Sequence, residues 1–496
     1  MADQATTKSL AELGLTAQGG REARVSGLSV DSRAVKAGHL FVALPGTKVH
    51  GGEFIQYALR MGAGAVLTDR DGAKIAKAEL AAADVPVVLA EDPRQALAYA
   101  AALWFGCQPE TMVAVTGTNG KTSVATFTRQ IWTLLGLSAI NLGTTGVEGA
   151  WQAPLAHTTP EPITLHRVLA AAAEAGVTHA AMEASSHGLA QRRLDGVRLA
   201  AAAFTNFSQD HLDYHATFED YFAAKAGLFD RVLPEDAVAV VNLDDDRGPD
   251  LAEIALDRGQ DLLTVGHGIG AHLRITGQRF DATGQSLRFE WSGEAHQARL
   301  ALIGGFQAEN VLAAAALAIG AGSPPEQVFR TFPELTTVRG RMQLAATRDN
   351  GSAVFVDYSH TPDALATALQ ALRPHVMGRL IVVFGAGGDR DTGKRILMGR
   401  AAAQHADVVI VTDDNPRSEE PAAIREMVMQ GCPEASEVGD RAEAILRGVD
   451  ALQPGDALLI AGKGHETGQV IGDDVFPFDD VEQASVAVAA LDGRVS

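Results

Sequence analysis

Short apolar runs alternate along the chain with longer Ala-rich stretches, and the texture of the runs changes twice. After Gly27 the runs at 40–44 (LFVAL), 65–68 (AVLT) and 86–89 (PVVL) predict strands separated by helices, which makes a small α/β domain ending near Cys107. From Met112 the runs MVAVTG, THAAMEAS, AAAFTN and AVAVVN are apolar throughout rather than alternating. Strands covered by helices on both faces read that way, so these runs predict a doubly wound parallel sheet. Between residues 273 and 302 the pattern turns to alternation, as in LRFEW and ARLALI, and predicts antiparallel strands. The Ala-rich run at 311–322 is too short to span a bilayer and predicts a packed helix. A stretch with three prolines, GAGSPPEQVFRTFPELTTVRGRM, closes this block. Beyond it AVFVD, LIVVF, DVVIV and ALLIA recur with helical stretches between them, which predicts a second open, Rossmann-like α/β sheet. Ligands of such sheets bind at the carboxyl ends of the strands, so the four loops that follow these strands should converge on one site.

The expected fold is therefore α/β in three domains. They are a small N-terminal domain at 1–108, a central phosphate-loop domain with an antiparallel portion at 109–336, and a C-terminal domain at 337–496. A length of 496 residues agrees, because it exceeds what one core supports. The balance of 61 acidic against 41 basic residues, a net charge of -20, argues against a nucleic-acid surface and leaves anionic ligands to local basic groups. Two cysteines far apart, Cys107 and Cys432, form neither a disulfide framework nor a metal spacing. The first residues, MADQATTKSLAELG, lack the basic start and apolar run of a signal peptide. A cytoplasmic protein with no membrane partner is expected.

The segment VTGTNGKTS (115–123) follows a strand and opens a helix, a placement in which backbone N–H groups and the helix dipole hold phosphates. Lys121 would neutralise the β and γ phosphates of ATP and Thr122 would offer a hydroxyl to magnesium. Gly117, Thr118, Asn119, Gly120 and Ser123 complete the expected ATP loop. The spacing departs from GxxxxGK[ST], because Val115 stands where the first glycine belongs. Glycines at such a turn can also serve close packing alone, and it is GKT in this context that points to a nucleotide.

Together, GTNGKTS, MEASSHGLAQRRL, NFSQDHLDYH, DYSHTPDAL, FGAGGDRDTGKR, TDDNPRSEEP and AGKGHE resemble the Mur ligases. Within them the likeness is to the branch that adds the third amino acid to UDP-N-acetylmuramoyl-L-alanyl-D-glutamate during peptidoglycan synthesis. The likeness runs from Asp31 to Glu466 in the family's order. It implies that ATP phosphorylates the D-glutamate side-chain carboxylate and that an incoming amine attacks the acyl phosphate. It also implies two magnesium ions, with Thr122, Glu183, His211 and Lys225 as ligands, Lys225 acting as a carbamate (N6-carboxylysine). Glu183 and His211 each follow an apolar strand of the phosphate-loop sheet, which aims them at its ligand edge. Taken alone, His211 would be read as structural, and Lys225, in the helical stretch EDYFAAKAGLF, as a solvated lysine.

The same resemblance assigns Asn310 and Asp357 to the nucleotide and Arg341 to its phosphates as a further catalytic group. Gln307 departs from the family's usual Asn or His and is left out. For the UDP-sugar end it implies Val30, Ser32, Thr47, Lys48 and Val49. For the muramoyl dipeptide it implies His157, which replaces a more frequent Asn, together with Thr158, Thr159, Ser185, Gln191 and Arg193. For the acceptor, meso-diaminopimelate, it implies Arg390, Asp414, Asn415, Pro416, Arg417, Gly462 and Glu466. That amino acid carries an ammonium and a carboxylate at both ends, and Arg417 can take the distal carboxylate bidentately while Glu466 takes an ammonium. Lysine has no distal carboxylate and would leave Arg417 unpaired. Pro416 would hold Arg417 through its fixed φ, and Glu419 and Glu420 are assigned to solvent. A lysine-adding or D-alanyl-D-alanine-adding Mur ligase and a folylpolyglutamate synthetase are the rival enzymes, disfavoured by VDSR and DNPR. A non-catalytic ATP-binding protein of the same fold is the rival of another class, and a monomer is expected.

Overall fold

The computed structural model describes residues 7–46, 49–208, 214–215 and 217–493. Thr47, Lys48 and His211 lie outside the described residues. The chain divides into two compact units, Met1–Leu273 with Leu312–Val328, and Arg274–Val311 with Phe329–Ser496.

In the first unit, β1 (Gly27–Ser29), β2 (His39–Ala43), β3 (Ala65–Thr68) and β4 (Val87–Leu89) form a parallel sheet in sequence order. The expected strands are all present, within a residue or so of their expected bounds. Helix α1 (Pro93–Phe105) starts where the Asp92 carboxylate accepts from the N–H groups of Arg94 and Gln95 with Pro93 in the first turn, and it ends at Gly106, whose φ is 80°. The larger sheet of this unit comprises β5 (Thr111–Thr116), β6 (Ala139–Gly143), β7 (Gly146–Gly149), β8 (His179–Glu183), β9 (Ala201–Phe204), β10 (Val238–Asn242) and β11 (Asp261–Gly266). Their order is β11-β10-β9-β5-β8-β6-β7, parallel except for the β6–β7 hairpin at its edge. Helix α2 (Lys121–Leu134) follows β5, and α3 (Pro162–Glu174) precedes β8. Their apolar faces cover the sheet, with Phe127, Ile131, Leu165 and Leu169 wholly buried. Each such side chain contributes roughly 1.5–3 kcal/mol on burial. Helix α4 (Phe218–Gly227) buries Tyr221, Phe222, Ala226 and also Lys225.

The second unit contains β12 (Leu273–Asp281), β13 (Gly284–Trp291) and β14 (Glu294–Leu300). β13 and β14 pair antiparallel, as the alternating pattern predicts. Helix α5 (Phe306–Gly320), whose residues from Leu312 on belong to the first unit, contains most of the expected Ala-rich helix. The C-terminal sheet runs β15 (Gln343–Thr347), β16 (Ala353–Asp357), β20 (Ala457–Ala461), β17 (Leu380–Phe384), β18 (Val408–Val411) and β19 (Ser436–Glu437), in that spatial order. All pairs are parallel except β15–β16 at the edge. β16, β17 and β20 are buried along their whole length, which is why their sequences are apolar without alternation. A hairpin of β21 (Gly468–Ile471) and β22 (Asp474–Pro477) follows β20. Helix α6 (Asp480–Leu491) closes the unit.

Candidate active site

In the first unit the site grows from the turn between β5 and α2. Gly117 has φ 146°, and a Cβ there would stand 1.9 Å from the Thr205 hydroxyl. Gly120 caps α2 at φ 87°. Only glycine suits either position. The loop is held by the end of β9: Thr118 N–H donates to Asn206 O (2.8 Å), Asn119 N–H to Asn206 Oδ1 (2.9 Å), and the Thr205 hydroxyl to Asn119 O (2.6 Å). Lys121 Nζ donates to the carbonyls of Gly117 (2.9 Å) and Thr118 (2.8 Å). Lys225, at 1% exposure, is not the solvated lysine its helix suggests. Its Nζ reaches the same Gly117 carbonyl at 2.6 Å and lies 4.5 Å from the centre of the Tyr221 ring. Two lysine amines thus meet at one carbonyl oxygen of the phosphate loop.

Glu183 ends β8 and is 2% exposed. Its carboxylate accepts from the Thr122 hydroxyl (3.0 Å), Thr144 N–H (2.8 Å) and, more weakly, the Thr144 hydroxyl (3.4 Å). All these donors are neutral. Gly143 makes the approach feasible, because a Cβ there would stand 1.9 Å from Glu183 Oε1. The chain of contacts continues to expected dipeptide residues. The Thr144 and Thr158 hydroxyls are 3.1 Å apart, and the Thr159 hydroxyl donates to Glu183 O at 2.9 Å and accepts from Ser185 N–H at 3.0 Å. Arg193 donates to Thr159 O (2.6 Å) and Gln191 Oε1 (2.8 Å), and its Nε is buried without a partner. Burial lowers the pKa of this guanidinium, partly offset by Glu161. His157 is exposed. Val30 and Val49 are exposed and Ser32 buried, all beside the N-terminal sheet, where Asp31 caps the turn through Arg33 N–H at 2.9 Å.

In the second unit the four loops after β16, β17, β18 and β20 do converge. Asp357 accepts from the N–H groups of Met342 (2.7 Å) and Ser359 (2.9 Å), and its carbonyl accepts from Gly462 N–H (3.1 Å). Arg341 lies over the Tyr358 ring at 5.1 Å. Gly340 lets this loop approach the last one, since a Cβ there would stand 2.1 Å from His465 N. A Cβ on Gly388 would stand 1.9 Å from Pro416 O, and Gly388 N–H donates to Asn415 O at 2.9 Å, so the GAGGDR and DNPR loops are in contact. Arg417 Nη1 donates to Gly388 O at 2.8 Å. Asn415 is 4% exposed and its Nδ2 donates to Glu466 Oε2 at 2.8 Å. Asp414 is buried, with Oδ2 lacking a partner and 2.4 Å from where a Gly462 Cβ would stand. Arg390 is exposed at the rim. In α5, Asn310 is buried and donates to Gln307 Oε1 at 3.1 Å.

Two expectations change here. Glu419 does not face water alone. It forms an ion pair with Arg395 at 2.7 Å and accepts from Asp389 N–H at 2.6 Å, because Arg395 is wholly buried and requires an anion. Both interactions hold the Glu419 carboxyl below its ordinary pKa. Glu420 is exposed as expected. Nor does Pro416 alone hold Arg417: the backbone of Arg417 has φ 53° and is clamped by Arg417 N–H to Val470 O (3.1 Å) and Gly472 N–H to Arg417 O (2.7 Å). Among the described residues the non-glycine positions with positive φ are Arg192, Ser292, Met342, Asp389 and Arg417. All but Ser292 adjoin or coincide with expected site residues, where backbone strain commonly collects. Sequence reasoning missed Gly143, Thr144, Arg395 and Lys463. Gly143 and Thr144 are neighbours whose tie to Glu183 appears only in the fold, Arg395 meets Glu419 from another element, and Lys463 lies within the GKGHE loop with no local sign of its contact to Asn415.

Fold and site define an α/β protein with a glycine-rich strand-to-helix loop in its first unit and four polar loops that converge at the strand ends of its second, the build of a ligase. Residues 24–104 match the Mur ligase family catalytic domain, 115–318 the Mur ligase middle domain, and 340–464 the Mur ligase glutamate ligase domain. The chain is 49% identical over 472 residues to the UDP-N-acetylmuramoyl-L-alanyl-D-glutamate--2,6-diaminopimelate ligase of Brucella melitensis, covering 95% of each. It is 49% identical over 475 residues to the protein of that name from Caulobacter vibrioides, covering 94% of this chain and 96% of the relative. A solved structure of an enzyme with the same name superposes with TM-score 0.77 at 35% identity, over 98% of this chain and 99% of that one. The MurF ligase of Thermotoga maritima in complex with ADP, TM-score 0.58 at 18% identity over 95% and 98% of the two chains, shares the fold. The chain belongs to the Mur ligase family.

Proposed function

We propose that this protein is the ATP-dependent ligase that joins meso-diaminopimelate to the D-glutamate side-chain carboxylate of UDP-N-acetylmuramoyl-L-alanyl-D-glutamate. The observation that carries the reading is the Arg417 turn, set against Asn415 and Glu466, in a chain 49% identical along its length to relatives named for that reaction. Amide formation from a carboxylate is uphill in water, so the γ-phosphoryl of ATP first moves to the carboxylate, and the amine then displaces phosphate. Gly117, Thr118, Asn119, Gly120 and Ser123 cradle the phosphates, and Lys121 turns from the loop carbonyls to the β and γ oxygens. Asn310 and Asp357 serve the nucleotide and Arg341 its phosphates. The UDP end lies against Val30, Ser32, Thr47, Lys48 and Val49. His157, Thr158, Thr159, Ser185, Gln191 and Arg193 hold the dipeptide, and the unpartnered Arg193 Nε supports an anionic group there.

Thr122 and Glu183 bring a hydroxyl and a buried carboxylate together, the hard oxygen donors that magnesium takes. These residues fit the ion, with His211 and Lys225 as further ligands and two ions in all. Bound magnesium supplies neutralisation of phosphate charge. A carbamate on Lys225 would replace the crowding of two amines at the Gly117 carbonyl by an acid, which is what a metal ligand requires. The division into domains at 1–108, 109–336 and 337–496 is supported by three family matches that each fall inside one segment. The helices among the described residues include none long and apolar enough to cross a membrane. We place the enzyme in the cytoplasm as a monomer, with small-molecule partners only.

The test is a mass measurement of the product formed from UDP-muramoyl dipeptide, ATP, magnesium and meso-diaminopimelate. The expected result is one added diaminopimelate residue with stoichiometric ADP and phosphate. Release of phosphate without that product would contradict the reading.

A further inference from the structure

Lys463 is a wholly buried lysine, at 0% exposure, in the loop after β20. Its ammonium is surrounded by three acceptors: Gly468 O at 2.6 Å, Asn415 Oδ1 at 3.0 Å and Glu466 Oε2 at 3.2 Å. An ammonium has three protons, so each acceptor takes one and none is left for a substrate. The two side chains it touches are linked to each other, because Asn415 Nδ2 donates to the same Glu466 Oε2 at 2.8 Å. Asn415 Oδ1 also accepts from Val470 N–H at 2.9 Å. The network thus joins three separate pieces of chain: the turn after β18, the loop after β20 and the β21–β22 hairpin.

We propose that Lys463 is a positioning residue for the amino-acid substrate, fixing the amide orientation of Asn415 and the rotamer of Glu466 so that one carboxylate oxygen is left to receive the substrate ammonium. An Asn amide can present either its oxygen or its nitrogen to a neighbour. With the ammonium and Val470 N–H both claiming Oδ1, only one orientation satisfies the network, and Nδ2 is thereby directed to Glu466. The same contact spends Glu466 Oε2 on Lys463 and Asn415, which leaves Oε1 for the ligand. Lys463 also compensates the charge of Glu466, so the carboxylate that Asn415 and Lys463 hold is not left without a cation of its own. Arg417 is reached as well, through the Val470 carbonyl that clamps its backbone.

This inference rests on the proposed acceptor site, and its test separates the two. Steady-state constants are measured for each of the three substrates with the wild type, Lys463→Met and Lys463→Gln, after circular dichroism has shown the variants folded. The expected result is a KM for meso-diaminopimelate raised roughly 10- to 100-fold in Lys463→Met, with the KM values for ATP and the UDP-dipeptide within about twofold of wild type. Lys463→Gln, which keeps two donors but no charge, should fall between. A merely structural lysine would reduce the active fraction and so kcat, leaving the KM for the amino acid in place. Unchanged KM for diaminopimelate, equal increases for all three substrates, or loss of the fold in both variants would overturn the positioning role. A wild type that does not ligate diaminopimelate at all would instead overturn the functional reading beneath it.

Discussion

Arg417 holds its guanidinium on a backbone with φ 53°, a conformation that costs a side-chain-bearing residue roughly 1–2 kcal/mol. The hairpin clamp offsets that cost, and the guanidinium keeps one firm contact, to Gly388 O, with most of its donors left for a ligand. A bidentate carboxylate contact is not reproduced by an ammonium. Arg417→Lys should therefore lower kcat/KM for meso-diaminopimelate roughly 10- to 100-fold while the KM for ATP stays within about twofold. Equal losses in both would make the turn structural. Lys225 makes a second prediction at this scale. Lys225→Ala should abolish ligation, and short-chain carboxylic acids should restore part of it if the missing group is a carbamate. Failure of every acid to rescue a folded variant would speak for the free amine.

At the scale of elements, Arg441 shows how the strand ends are fixed. Its side chain and that of Asp480 are both wholly buried. The guanidinium donates to both Asp480 oxygens at 2.8 and 2.7 Å and to Ala461 O at 3.0 Å, so the first turn of α6 is tied to the end of β20. Asp480→Asn would leave a buried cation without its anion and should cost about 3–5 kcal/mol, read as a lower urea midpoint. No change in midpoint would mean that water or another acid takes over. The elements themselves were legible because buried parallel strands such as LIVVF and ALLIA are apolar without interruption, and the convergence of four loops followed from their strand ends. What stayed hidden were contacts between residues distant in sequence. Glu419 looked like a solvent-facing acid because its partner, Arg395, lies on another element. Lys225 looked solvated because most helix lysines are, although it shares the inward face of Phe222, Ala226 and Phe229 at helical spacing. Gly143 has no local reason to be glycine, and its purpose lies in Glu183, 1.9 Å from where its Cβ would be.

For the whole molecule, a net charge of -20 disfavours anions in general, so the proposed sites for anionic substrates would draw on local cations such as Lys121, Arg193 and Arg417. Stability towards acid has an internal contributor. His166, on α3, is 2% exposed, its Nε2 has no partner, and burial lowers its pKa from the ordinary 6.5 to about 4. The unfolded chain binds this proton first, so the contribution is complete above pH 6.5 and is lost as pH falls towards 4, by up to about 3 kcal/mol. Urea unfolding of wild type and His166→Gln across that window should show a steeper acid loss in the wild type. Parallel curves would remove His166 from the account. The central claim concerns the acceptor, and the kcat/KM ratio for meso-diaminopimelate over L-lysine, with UDP-muramoyl dipeptide and ATP saturating, tests it most directly. The account predicts a strong preference for diaminopimelate that collapses in Arg417→Lys. Equal use of lysine by the wild type would contradict it.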